Sequence, residues 1–180
     1  GDSNAFNLLV ERWQTPIYQL AYRFLGNEED AKDICQNTFI KAYKNIRKIK
    51  DIESFPMWIR RIAVNLCKDE FSRRKRERYA SQINLGNESS FNVSDNNKAD
   101  FEEEIMKKDV GEIIKKAVGT LREEQKIILI LKEYQGLKFT EIAEVLNISV
   151  NTAKSRMYYA LKNVKNILER HRLDKEVYKK

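Results

Sequence analysis

The chain has 180 residues but only 6 glycines, 2 prolines, 2 cysteines and 1 histidine. So little Gly and Pro leaves scant material for the turns of a many-stranded sheet, and an all-α protein is expected. The same scarcity excludes glycine-rich phosphate loops. One His and two Cys, with 31 residues between Cys35 and Cys67, cannot assemble an ordinary zinc site. No Ser or Cys has a His close in sequence to act as its base. These gaps argue against an enzyme and against a metal or cofactor. No apolar run approaches the roughly 18 to 20 residues that span a bilayer, and no signal peptide is evident, so a soluble, cytoplasmic protein is expected. The two cysteines lie on helical patterns and are expected as small buried hydrophobes rather than a disulfide.

Positive charge is what the chain has in excess. With 34 Lys+Arg against 27 Asp+Glu the formal net charge is +7, which suggests an anionic partner. The excess is not uniform. Residues 1–80 carry 16 basic and 11 acidic side chains (+5), residues 81–110 carry 3 and 7 (−4), and residues 111–180 carry 15 and 9 (+6). Two basic blocks therefore flank an acidic connector. The stretch from Ser81 to about residue 98 is rich in Asn, Ser and Asp, which bond their own backbone and resist regular structure. It is expected as a flexible linker, part of a polar connector over 81–105 between domains at 1–80 and 106–180. Ile83, Leu85, Phe91 and Val93 within it either dock transiently on a partner or are stray.

The first block reads as helices with short connections. Phe6, Leu9, Val10 and Trp13 precede Pro16 at helical spacing, and Ile17, Leu20, Ala21, Phe24 and Leu25 follow it, so Pro16 either starts a new helix or kinks one. Gly26-Asn27 ends that pattern, and Glu28, Glu29 and Asp30 suit the N-terminal dipole of the next helix. Ala31, Ile34, Cys35, Thr38, Phe39, Ala42, Tyr43 and Ile46 form its apolar face. Asp33, Gln36, Asn37, Ile40 and Lys44 share the opposite face. A lone exposed Ile is common, but an apolar centre ringed by amides and a carboxylate is also how a protein-docking patch is built. A third helix starts after Ser54, carries Pro56 in its first turn and places Phe55, Trp58, Ile59, Ile62, Ala63 and Leu66 on one face. Arg60, Arg61, Asn65, Lys68, Arg73, Arg74, Lys75, Arg76 and Arg78 give it a basic surface interleaved with Phe55, Trp58 and Phe71. Bases stack on such rings while phosphates pair with the cations. Aromatics at this spacing serve equally as core, and Trp58 is open to either reading.

In the last block, Leu121, Ile127, Ile128, Ile130 and Leu131 mark a buried helix ending near Gly136, and residues 139–156 have the spacing of a helix-turn-helix. Small Ala143 allows a close crossing, Ile142, Leu146 and Ile148 supply a shared core, Asn147 suits a left-handed turn and Ser149 an N-cap. On the second helix Val150, Ala153, Met157, Ala160, Leu161, Val164 and Leu168 form the apolar stripe. Asn151, Thr152, Lys154, Ser155, Tyr158 and Tyr159 remain outside near the N-terminus, as a helix entering the major groove requires.

With these motifs in hand, the chain resembles the bacterial sigma factors of the extracytoplasmic-function (ECF) type within the sigma-70 family. Asp30-Ala31-Lys32-Asp33-Ile34-Cys35-Gln36-Asn37-Thr38-Phe39-Ile40-Lys41-Ala42-Tyr43 looks like region 2.2, and Phe55-Pro56-Met57-Trp58-Ile59-Arg60-Arg61-Ile62-Ala63-Val64-Asn65 like regions 2.3 and 2.4. Gly136–Ala143 with Thr152-Ala153-Lys154-Ser155-Arg156 resembles region 4. The resemblance implies a subunit that brings core RNA polymerase to promoters and helps open the strands, without catalysis of its own. It implies that Asp30, Asp33, Gln36, Asn37 and Ile40 bind the β′ clamp helices, and that the connector threads toward the RNA exit path. It further implies that Phe55, Trp58, Arg60, Arg61, Asn65, Lys68, Arg73 and Arg74 take the unpaired minus-ten strand, with Asn65 at an extruded base. Asn151, Thr152, Lys154, Ser155, Arg156, Tyr158 and Tyr159 would read the minus-thirty-five duplex, and an anti-sigma protein is a possible further partner. Two positions depart from the family pattern: Asn37 replaces a usual acidic residue, and Lys138 a usual Ser cap, which is expected to move that helix start to Thr140. Free protein is expected to bind promoter DNA weakly because the linker leaves two DNA-binding domains unregistered. The rival is a stand-alone helix-turn-helix regulator, which has no need of the region 2.2 face or the Trp58 helix.

Overall fold

The structure, a computed structural model, describes residues 3–49, 51–84 and 110–177. Among these no strand occurs, and the chain forms seven helices: α1 Ser3–Leu25, α2 Glu28–Asn45, α3 Phe55–Asn84, α4 Val110–Gly119, α5 Glu123–Leu129, α6 Phe139–Leu146 and α7 Val150–Val177. Short 3-10 turns at Ile46–Lys48 and Ile52–Ser54 join α2 to α3, and a π-helical turn, Ile130–Tyr134, continues α5.

Local chemistry explains most of the boundaries. Gly26 takes φ +76° to end α1, and its N–H donates to the Tyr22 carbonyl at 2.8 Å. Asn27 then caps α2, its Oδ1 accepting from the Asp30 N–H at 3.1 Å, while Glu28, Glu29 and Asp30 fill the first turn. Pro16 neither starts nor breaks a helix; α1 runs through it for 23 residues. The carbonyl that loses its donor belongs to Arg12, four residues back on the exposed side, where water can replace the missing bond. α3 continues past the turn-forming residues at 81 to Asn84. Glu70, Arg73, Arg74 and Glu77 pair at i,i+3 and i,i+4 spacing and support the helix across its most charged stretch. Leu85, Phe91 and Val93, with the rest of the connector to 105, lie outside the described residues.

The N-terminal half packs α1, α2 and α3 around Ile17, Leu20, Phe24, Ile34, Phe55 and Ile59, all buried. Each such side chain contributes roughly 1.5–3 kcal/mol by leaving water. The C-terminal half packs α4, α5 and α6 on α7 around Ile127, Ile128, Leu131, Ile142, Ala153 and Met157. α6 also lies against α3, and the π turn against α1, so one apolar cluster runs through both halves. Two apolar assignments are corrected. Tyr43 is 57% exposed at the last turn of α2, and Leu161 is 50% exposed because it falls on the outward side of α7 between buried Met157 and half-buried Val164. Both cysteines are free; burial pushes the Cys67 thiol up to about 12 and raises Cys35 as well.

Candidate polymerase and nucleic-acid interfaces

Three surfaces collect the residues singled out in the sequence. On α2, Asp33, Gln36, Asn37 and Ile40 are exposed together, Ile40 at 42%. Asp30 is different: it turns toward α3 and forms an ion pair with Arg74, with side-chain exposures of 18% and 27%. Its carboxylate is occupied inside the protein. Beside the α2 stripe, α1 and α2 enclose an apolar groove of about 740 Å³ lined by Phe6, Val10, Tyr18, Phe39, Ile40 and Tyr43. Phe6 meets Tyr43 edge-on at 5.1 Å. Sequence reasoning missed this contribution of α1, although an apolar Tyr43 at the end of the α2 series was a signal for it.

On α3 the eight expected strand contacts divide. Phe55 is 1% exposed, packed on Trp13 and Trp58 with ring centroids 6.3 and 5.9 Å away, and is core rather than a stacking surface. Trp58 is half-buried beside it. Arg60 is only 8% exposed. Its guanidinium lies 4.6 Å from the Trp13 ring centroid, donates to the Pro56 carbonyl at 3.1 Å and donates from Nε to Gln135 Oε1 at 3.3 Å. Burial lowers its proton affinity, partly offset by Glu141. Arg61 donates to the Glu144 carbonyl in the last turn of α6, where the helix dipole is negative. Asn65 is exposed and Lys68 half-buried, its charge acting on Glu123 of α5. Arg73 pairs with Glu70 at 2.7 Å and with Glu77, and Arg74 pairs with Glu70 at 2.7 Å and with Asp30. Hydrogen bonds from Arg73 first, and Arg74 after it, hold the Glu70 carboxyl below the usual range against burial. Phe55 and Arg60 are thus inaccessible here, and Arg73 and Arg74 are engaged by carboxylates that the charge count of this stretch underrated.

The third surface is the helix-turn-helix. Lys138 occupies the cap position of α6, and its backbone N–H donates to Glu141 Oε2 at 2.6 Å, so α6 starts at Phe139 rather than Thr140. Asn147 takes φ 53° and ψ 52°, and the Ile148 N–H reaches the Ala143 carbonyl at 3.0 Å. Ser149 Oγ accepts from the Thr152 N–H at 3.0 Å and contacts the Thr152 hydroxyl at 2.8 Å, so Thr152 is committed to the cap. Asn151, Lys154, Ser155, Tyr158 and Tyr159 are exposed and Arg156 is half-buried. Tyr158 and Tyr159, 63% and 54% exposed, meet edge-on at 5.5 Å. Such groups can pair with base edges and contact thymine methyls, and Lys154 can reach phosphate. Among the described residues no cluster of His, Cys, Asp and Glu could hold a metal ion, and no helix is long and apolar enough to cross a membrane.

A helical unit with a helix-turn-helix, joined to a second helical unit with an exposed stripe centred on Ile40, is the architecture of a sigma-70-type factor. Residues 9–77 match the family model for Sigma-70 region 2, and residues 111–164 match that for Sigma-70, region 4. The chain is 34% identical to the ECF RNA polymerase sigma factor SigW of Bacillus subtilis over 88% of its own length and 86% of that protein. It is 30% identical to the ECF RNA polymerase sigma-E factor of Haemophilus influenzae over 94% of its length and 90% of that protein. The fold is shared with the sigma factor RpoE solved with the anti-sigma factor NepR from Bartonella quintana, at TM-score 0.65 and 20% identity, covering 92% of this chain and 97% of that one. It is shared equally with CnrH solved with the cytosolic domain of CnrY, at TM-score 0.65 and 23% identity over 94% and 90% of the two chains. The chain belongs to the ECF RNA polymerase sigma factors.

Proposed function

We propose that this chain docks on the clamp helices of core polymerase through Asp33, Gln36, Asn37 and Ile40, with the adjoining α1–α2 groove extending the contact. Trp58, Arg61, Asn65 and Lys68 receive the unpaired minus-ten strand, and Asn151, Lys154, Ser155, Tyr158 and Tyr159 read the minus-thirty-five duplex. Asp30 and Arg74 hold α2 and α3 together, and Arg73 pairs along α3, rather than touching a partner. Residues 1–80 and 106–180 act as two functional units across the 81–105 connector. The chain works in the cytoplasm and supplies promoter choice and strand capture, while polymerase supplies the chemistry. The complex of RpoE with the anti-sigma factor NepR supports a protein regulator of that kind here also.

The observation that carries this reading is the presence on one chain of an exposed Gln36-Asn37-Ile40 stripe and an exposed Lys154–Tyr159 face, which a stand-alone regulator would not need together. Run-off transcription with core polymerase on a randomised promoter library tests it. Sequence-selected transcripts are expected; selection of duplex DNA by the free protein with no transcripts would favour the stand-alone regulator instead.

A further inference from the structure

The groove between α1 and α2 is built from rows of side chains at i,i+4 spacing. Phe6, Val10, Gln14 and Tyr18 form the α1 wall. Lys32, Gln36, Ile40 and Lys44 form the α2 rim, with Phe39 below it. Two contacts fix the register. Phe6 meets Tyr43 edge-on at 5.1 Å, and Cys35 Sγ donates to the Gln14 carbonyl at 3.5 Å, so the helices run antiparallel. Gln14 and Tyr18 therefore lie toward Lys32, and Phe6 lies toward Lys44. The two lysines stand about 18 Å apart along α2 at the helical rise. Spread over that length, the groove's 740 Å³ gives a channel about 7 Å across, narrower than a helix of about 10–12 Å. The volume falls within the roughly 300–1,000 Å³ of small-molecule sites. No Asp or Glu is among the groove's lining residues.

We infer that this groove is a binding site for a single-chain fatty carboxylate laid along α2, its carboxylate at the Lys32 end and its tail against the Phe6–Tyr43 pair. The Lys32 ammonium supplies the opposite charge, and the amides of Gln14 and Gln36 supply N–H donors at the same end. Glu28 stands 3.8 Å from the Lys32 ammonium, and both side chains are about two-thirds exposed, so that pair is weak enough for a ligand to replace. Between the ends the alkyl chain covers Val10, Phe39 and the exposed apolar surface of Ile40. Burial raises the Cys35 thiol, which stays protonated and forms no bond to the ligand. Gln36 and Ile40 belong both to this groove and to the docking stripe proposed above. On that reading, an occupied groove and a docked polymerase exclude each other, and the fatty carboxylate is a brake on the factor.

The test titrates octanoate, decanoate and dodecanoate, each below its micelle concentration, into the full chain by calorimetry. A single equivalent should bind, about two- to fourfold more tightly per added CH2, as a methylene leaving water for an apolar site gives. Dodecyltrimethylammonium should bind at least about tenfold more weakly than dodecanoate, because the lysines repel it. Lys32→Gln should lower dodecanoate affinity about two- to fivefold, the size of one exposed ion pair, while Lys44→Gln leaves it unchanged. Val10→Phe should remove binding by filling the channel; should it fold poorly, the two lysine variants decide. Many equivalents, equal affinity for both amphiphiles, or binding indifferent to Lys32 overturns the site, as does capture of an acidic amphipathic peptide where dodecanoate fails. Calorimetry needs no polymerase, so failure of the docking reading is a separate result. Saturating dodecanoate should weaken binding of core polymerase about tenfold, and an unchanged polymerase affinity overturns the brake.

Discussion

Lys126 offers the sharpest numerical test. It lies in α5, is only 9% exposed, and its ammonium sits 5.7 Å from the Phe24 ring centroid of the other half. Burial alone lowers its proton affinity; no carboxylate contributes. Withdrawing an ammonium partly from water costs about 1–2 kcal/mol, and its attraction to the ring returns roughly 0.5–1 kcal/mol. Methionine follows the same path with an unbranched apolar chain. Lys126→Met should therefore stabilise the protein by about 1 kcal/mol at neutral pH, read as a higher urea midpoint with an unchanged slope. The sign of the pH dependence follows from the lowered value. Between the folded-state value and the ordinary lysine value of about 10.4 the unfolded chain holds a proton that the folded chain has released, so wild-type stability rises with pH across that window. The advantage of the Met variant should be full below the window and shrink through it. A Met variant less stable than wild type at neutral pH, or an advantage that stays constant up to pH about 10, would refute the reasoning.

Three further outcomes are expected. Asn147→Val should cost about 1–2 kcal/mol, because a β-branched residue resists φ 53°, whereas Asn147→Gly should stay within a few tenths; denaturant midpoints decide it. Arg74→Met leaves the Asp30 carboxylate, 18% exposed, without its ion pair, and should cost about 1–2 kcal/mol of stability after allowance for solvent screening, while duplex binding is unchanged. Tyr158→Ala and Tyr159→Ala should weaken duplex binding several-fold without altering stability or the slope of affinity against salt, since neither ring neutralises phosphate; a changed slope would reassign them.

The helices and the helix-turn-helix were legible because each rests on local chemistry. Asn147 in the left-handed region, Ser149 as a cap and Gly26 as a stop are decided within four residues of chain. The strand-capturing face was legible in composition only. Phe55 and Arg60 have the same residue types whether they face solvent or Trp13, and no periodicity of α3 alone reveals that Trp13 of α1 will lie against them. Arg73 and Arg74 were counted as free cations although Glu70 and Glu77 stood at pairing distance along the helix; that misjudgement was avoidable from spacing. Gln135 was beyond reach, because a π turn carries no sequence signature here and its partners, Pro16 and Arg60, are 119 and 75 residues away. Glu141 displaced the predicted α6 start by one residue by closing back on the Lys138 backbone.

A single apolar cluster that crosses from Phe24 and Ile59 to Ile142 and Ile127 also makes parting of the halves a calorimetric event. Wetting that cluster raises the heat capacity, so the free energy of parting is curved in temperature. Cooling weakens the apolar contribution, and heating favours the greater freedom of separated halves. The fraction of molecules parted should then pass through a minimum at an intermediate temperature and rise on both sides, a thermal dependence built into the chain before any partner binds it.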